Sequence, residues 1–323
     1  MPGENARKGR IGLALGGGAA RGWAHIGILN ALSKAGIVPD IVTGTSIGAV
    51  VGGCYMAGQL GELERFATSL TRRRILGLLD FNLAGTGLIT GDKLGVLLET
   101  HIGRMAIEDL PKPFAAVATE VGTGHEVWLR RGNLIEAMRA SYALPGIFPP
   151  VSINRRWLFD GALVNPVPVS VCRALGARYV IAVNLNADLS ARGTVVPDLD
   201  AQDEALASEA LPAEPTNAVG SMRSLLRRQW FGSDKDTRPG ISSVVVDALS
   251  IVQDRIARSR LAGDPPDAVI SPRLSGIGPF EFHRADELIA RGAAAAQREL
   301  DELRHQLELR ARLACPTHQP ATM

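Results

Sequence analysis

The chain has 323 residues, 46% of them hydrophobic, and 35 basic against 33 acidic side chains leave a formal net charge of +2. So even a balance argues against nucleic acid as a partner, and the apolar content suffices for one large domain or two small ones. Cys54, Cys172 and Cys315 lie far apart; an odd, scattered set makes neither a disulfide framework nor a metal site and points to a reducing compartment.

At the N-terminus, Arg7, Lys8 and Arg10 ahead of IGLALGGGAA mimic a signal peptide, but Arg21 and His25 interrupt the run and glycine crowds its end. No apolar run approaches the roughly 20 residues of a spanning helix. The expectation is a soluble, cytoplasmic protein that touches a membrane, if at all, peripherally and from its inner face.

Ile11 to Leu15 is a short apolar run closed by Gly16-Gly17-Gly18, which predicts a buried strand. Ala24, Ile28, Leu29 and Leu32 recur at helical spacing, with Gly36 where the helix stops. Ile41 to Thr43 predicts a second strand and Ile47 to Ala57 a second helix. Strand, glycine turn and helix, twice in succession, is the pattern of parallel α/β units. Further strands are predicted at Phe114 to Val121, Glu126 to Leu129, Trp157 to Phe159 and Tyr179 to Asn184, with helices at Leu134 to Tyr142 and Val167 to Leu175.

From about Ala187 to Pro239 acids and prolines replace large apolar residues, the composition of a mobile insertion. A helix from Ser243 to Leu261, a strand from Ala268 to Ser271 and an amphipathic helix from His283 to Arg312 follow. The expected organisation is a tail over 1–10, a core over 11–186, an insertion over 187–240, a return to the same domain over 241–313 and a tail over 314–323.

Three motifs carry chemistry. In VTGTSIGAV, Gly44 and Gly48 flank Ser46 at the spacing of a strand-to-helix elbow, where only small residues fit around a raised serine; the pattern G-x-S-x-G also arises by chance in ordinary turns. The following helix would aim its free N–H groups at that serine. Gly16-Gly17-Gly18-Ala19-Ala20-Arg21-Gly22 offers backbone N–H donors for an oxyanion. A dinucleotide loop would place glycine where Arg21 stands, and a phosphate loop would need Gly-Lys-Ser/Thr. Asp160, followed by Gly161 and Ala162, stands at a predicted strand end, as a proton acceptor for the serine or as a plain Asp-Gly turn.

In their order GGGAARG, GTSIG and DGA resemble the patatin-like phospholipases. GLALGGGAARGWAHIGIL, RASYALPGIFPPV and DGALVNPVPVSVCRALGA resemble the short bacterial, RssA-like members of the neuropathy target esterase (NTE) branch. The likeness runs from Ile11 to Asn184 and resumes at RLAGDPPDAVISP and FEFHRADELI. It implies a patatin-like three-layer α/β/α sandwich with a mostly parallel central sheet, and a Ser–Asp dyad that hydrolyses acyl esters of lipids, phospholipid or lysophospholipid. Ser46 then matches the nucleophile, Asp160 the proton acceptor, and Gly17, Gly18 and Ala19 the oxyanion loop. Arg21 matches a basic residue beside the loop, with Gly44, Gly48 and Gly161 as motif glycines. Ala19 replaces the family's third glycine, so a position suited to φ > 0 carries a methyl group.

Of the six histidines, His283 could complete a Ser-Asp-His order, and His25 reads as half-buried on the first helix. His101, His125, His305 and His318 read as surface or tail residues. Arg72-Arg73-Arg74 reads as a solvated helix end or a dock for anionic head groups, and Met222 to Phe231 as an interfacial or packed segment. Glu120 and Asp109 lack partners for a metal, no metal or cofactor is expected, and a protein partner is left open. The alternative to a hydrolase is a regulatory or scaffold protein that binds lipid on the same fold.

Overall fold

The computed structural model describes residues 10–78, 93, 95–96, 99–100, 103–188 and 241–314. The insertion expected over 187–240 lies outside the described residues from 189 onward, as do Met222 to Phe231, His101, His318 and Cys315.

The chain opens with β1 (Ile11–Leu15), α1 (Ala24–Lys34), β2 (Ile41–Thr45) and α2 (Ile47–Met56). Gly36 follows α1 with φ 77, the left-handed stop that its sequence predicts. Two helices then intervene, α3 (Leu60–Thr68) and α4 (Arg72–Leu78). The central part is β3 (Phe114–Glu120), β4 (Glu126–Leu129), α5 (Leu134–Ser141), β5 (Val151–Ile153), β6 (Arg156–Asp160), α6 (Val169–Ala174) and β7 (Tyr179–Val183). After the undescribed stretch come α7 (Ile241–Gly263), β8 (Ala268–Ile270) and α8 (Ala285–Ala314).

All strands form one sheet in the order β5-β6-β3-β2-β1-β7-β8, with β4 paired to β3. β3, β2, β1, β7 and β8 run parallel, while β4 and β6 pair antiparallel with β3 and β5 pairs antiparallel with β6. Alternation along each strand sorts side chains onto two faces. Leu13, Leu15, Val42, Ile181 and Val183 join the core shared with α1, α2, α5 and α8. Ala14, Val180 and Ala182 pack instead against Val169 and Cys172 of α6 and Ala257 of α7. Helices therefore cover both faces, which is the predicted α/β/α layering. The late elements add β8 to the sheet and α8 to the main core.

α1 and α8 approach with glycine against backbone. A Cβ on Gly27 would stand 1.9 Å from Ile289 O, and one on Gly292 would stand 2.0 Å from Ala24 O. Only hydrogen fits there. α8 thus lies directly on the helix that leaves the glycine loop.

Candidate active site

β2 ends at Thr45 and α2 begins at Ile47, so Ser46 alone makes the turn between them. Its φ of 56 and ψ of −126 place it where non-glycine residues are strained, at a cost of about 1–3 kcal/mol. Surrounding bonds hold it there. The Ser46 N–H donates to Ser141 Oγ at 2.9 Å, and the Ser141 hydroxyl donates to Val117 O at 2.6 Å. Thr45 Oγ1 donates to Asn165 O at 2.8 Å, and Ser46 O accepts from the N–H groups of Ala49 and Val50. The two motif glycines are required by space: a Cβ on Gly44 would lie 2.4 Å from Gly48 O, and one on Gly48 would lie 2.2 Å from Leu15 O.

Asp160 closes β6, paired with Ala118 where β6 runs beside β3 beyond the end of β2. Ser46 Oγ donates to Asp160 Oδ2 at 2.6 Å, and Oδ1 accepts the Ala162 N–H at 2.8 Å. The backbone is pinned on both sides, its N–H donating to Ala143 O at 2.9 Å and its carbonyl accepting from Thr119 Oγ1 at 2.8 Å. Gly161 is required here because a Cβ would meet Val117 O at 2.2 Å. Burial pushes the Asp160 carboxyl up to about 6, against the pull of the Ser46 hydroxyl and the Ala162 N–H. A carboxylate so placed can take the serine proton without an intermediary.

The glycine loop lies beside them: a Cβ on Gly17 would stand 3.5 Å from Ser46 Cβ. Gly16 N–H donates to Val183 O at 3.1 Å and Gly17 N–H to Pro166 O at 3.0 Å, anchoring the loop to its neighbours. The N–H groups of Gly18 and Ala19 donate to no other described residue. Ala19 adopts φ 49, so the methyl group does sit at a left-handed position. Beyond it, Ala20 N–H donates to Pro279 O at 3.0 Å, and Arg21 Nε to Ile277 O at 2.9 Å. Arg21 is thus half-buried and turned to the segment before α8; burial lowers its pKa, opposed first by Asp188 and then by Glu281.

His25 corrects the expectation of a half-buried residue, for it is fully buried. Its Nε2 lies 2.8 Å from Gly16 O, and burial pushes its pKa down to about 4. A carbonyl can only accept, so neutral His25 donates from Nε2, while its buried Nδ1 has no partner among the described residues. His283 lies elsewhere, in a turn before α8, where its Nε2 accepts from Arg72 Nε at 3.2 Å. Among the described residues no histidine bonds to Ser46 or Asp160, and no three His, Cys, Asp or Glu side chains cluster as metal ligands. Arg72 and its two neighbours are exposed at the start of α4. Asp40, just before β2, accepts the Ile11 N–H at 2.9 Å.

Ser141, Thr119, Asn165 and His25 support the site without having been singled out as its residues. Ser141 stood in the quoted RASYALPG, but nothing in a helix-ending serine signals a hydrogen bond to a turn on another strand.

The chain matches the family described as patatin-like phospholipase over residues 13–173. It is 35% identical over 334 residues to an uncharacterized NTE family protein of Mycobacterium tuberculosis, covering 90% of this chain and 91% of the relative. A larger NTE family protein of that species is 31% identical over 90% of this chain and 46% of its own length. Lysophospholipase nte1 of Emericella nidulans is 27% identical over 92% of this chain and 18% of its own length. The chain also resembles VipD from Legionella pneumophila at a TM-score of 0.44 and 12% identity, over 91% of this chain and 67% of that one, too distant to add to the sheet order above. The chain belongs to the patatin-like phospholipases, a family of lipid hydrolases, and within it to the NTE branch.

Proposed function

We propose that the protein is a serine hydrolase of fatty-acyl esters, of phospholipase or lysophospholipase type, working through Ser46 and Asp160. The observation that carries this reading is the 2.6 Å hydrogen bond from Ser46 Oγ to a buried carboxylate, made from a strained elbow. Ser46 Oγ attacks the acyl carbonyl carbon while its proton passes to Asp160 Oδ2. The oxyanion that forms is met by the free N–H groups of Gly18 and Ala19, with Gly17 anchoring the loop, and by the positive end of α2. Collapse expels the alcohol, which takes the proton from Asp160. Water, deprotonated by the same carboxylate, then releases the fatty acid and restores Ser46.

Support for an apolar acyl group comes from the segment after Ser141. Ile147 is buried, Leu144 and Phe148 are half-buried, and Ala143 O accepts the Asp160 N–H at 2.9 Å. That segment therefore lines up against the proposed base. A lipid-binding scaffold without turnover would gain nothing from a strained serine or from a carboxylate kept out of water.

Ser46→Ala should abolish fluorophosphonate labelling and p-nitrophenyl ester hydrolysis with the melting temperature nearly unchanged. Labelling that persists would move the nucleophile elsewhere. Octanoyl and longer esters should be turned over faster than acetyl, and equal or better turnover of acetate would sink the lipid assignment.

A further inference from the structure

The strands β5 and β6 reach past the site. Asp160 pairs with Ala118 and Leu158 with Glu120, and the Val121 N–H donates to Trp157 O at 2.8 Å. At about 3.3 Å per residue, Trp157 stands roughly 10 Å outward from Asp160, beyond the sheet end at which Ser46 turns. Asn154 and Arg155, with φ of 51 and 65, form the tight turn that joins the two strands.

This projection exposes what a protein usually buries. Trp157 is 56% exposed, Trp128 40% and Val121 37%. The register Val117 to Trp128 and Thr119 to Phe159, with side chains alternating, puts Trp128, Val121 and Trp157 on one face of the sheet. Leu158 and Asp160 turn inward from the other. Arg155 and Arg156 are exposed beside Trp157. Arg156 lies 3.5 Å from Glu120, while Arg155 has no ion pair among the described residues. A projecting tip of tryptophan and valine flanked by arginine has the chemistry of a lipid–water interface, where the indole sits at the head groups and the guanidinium meets phosphate.

We propose that the β5–β6 hairpin and the adjoining end of β3, through Trp157, Arg155 and Val121, dock the protein on an anionic phospholipid surface with the Ser46 end of the sheet facing the lipid. As a delivery device this rests on the hydrolase reading above; as a binding surface it stands apart from it. The patch is a protruding tip with a spare cation, not a groove, which favours a fluid anionic surface over a folded partner.

Sedimentation of the full chain carrying Ser46→Ala with vesicles of phosphatidylcholine, with and without phosphatidylglycerol, tests docking without turnover. Binding should need the anionic lipid. Adding Trp157→Ala or Arg155→Glu should weaken it at least tenfold, and Trp157→Phe should restore part of it. In the otherwise native chain, Trp157→Ala should leave p-nitrophenyl ester turnover unchanged while hydrolysis of vesicle phospholipid falls by a similar factor. Vesicle binding indifferent to both substitutions would overturn the proposal. So would a fall in particle mass on Trp157→Ala, which would make the tip a contact between protein copies. If the native chain hydrolyses no ester at all while vesicle binding still depends on Trp157, the hydrolase reading fails and the docking surface stands.

Discussion

Ser141 sits between Ser46 and Val117: its Oγ receives the Ser46 N–H at 2.9 Å and donates its own proton to Val117 O at 2.6 Å. One hydroxyl from the end of α5 thus links the strained turn to β3. Ser141→Ala leaves a buried carbonyl and the elbow N–H without partners, which costs about 1–3 kcal/mol. The expected result is a lower melting temperature and at least a tenfold loss of ester turnover, since the elbow is free to relax. A thermal melt beside an initial-rate assay checks both, and unchanged turnover would mean that the other bonds around Ser46 suffice.

Asp160 should set the acid limb of activity. Only its ionised form accepts the serine proton, and burial holds its pKa at about 6, so kcat/KM should rise with pH through about 6 and then level. Asp160→Asn should lose several orders of magnitude and the limb with it. His283→Ala, remote from both groups, should keep most activity and the same limb. A histidine variant as inactive as Ser46→Ala, yet folded, would make the enzyme a triad hydrolase.

Two buried groups pull stability in opposite directions over nearly the same pH range. The Asp160 pKa is raised from 3.8 to about 6, so its contribution is present below about 4 and lost as pH rises through 6. The His25 pKa is lowered from 6.5 to about 4, so its contribution is present above 6.5 and lost as pH falls towards 4. At about 1.36 kcal/mol per unit each amounts to roughly 3 kcal/mol, and in the native chain they largely offset. Asp160→Asn removes one side. Its stability should match or exceed the native chain's at pH 7.5 and fall more steeply towards pH 4.5. Denaturant midpoints at several pH values measure this, and parallel profiles for the two chains would contradict it.

Glycine substitutions should separate by what surrounds them. At Gly48 a Cβ would press to 2.2 Å on Leu15 O, which is backbone and cannot swing aside. Gly48→Ala should cost several kcal/mol, as overpacked cores do, and yield little soluble protein. Gly61, exposed within α3, meets nothing within 4 Å. There alanine should stabilise by about 0.5–1 kcal/mol through helix propensity. Melting temperatures of the two variants decide it.

Much of the frame was legible because its signals are local. The apolar runs at Ile11, Ile41 and Tyr179 became β1, β2 and β7, and the glycine-flanked Ser46 became the turn after β2. Asp160 could be matched to Ser46 only through motif order, since residues so far apart in the chain share no periodicity; their meeting depends on β6 folding back against β3. The burial of His25 was not legible. α1 is enclosed on several sides, with His25, Ile26, Gly27, Ile28 and Leu29 all buried, so no polar stripe marks which face is wet. α3 was missed although Leu60, Leu63 and Ala67 recur at helical spacing, and of α4 only its Arg72-Arg73-Arg74 end was read as helical. The pattern was present and the composition, rich in charge, masked it.

The contact of Gly27 with Ile289 and of Gly292 with Ala24 also bears on how the protein is made. α1 leaves the ribosome well before the partner that covers it, which lies far along the chain. Until residue 292 is clear of the exit tunnel, α1 presents a bare apolar side, and the loop that rests on Ile277 and Pro279 has nothing to rest on. Assembly of the site therefore waits on sequence-distant contacts, which close last. The nascent chain is the form most exposed to chaperones and to aggregation.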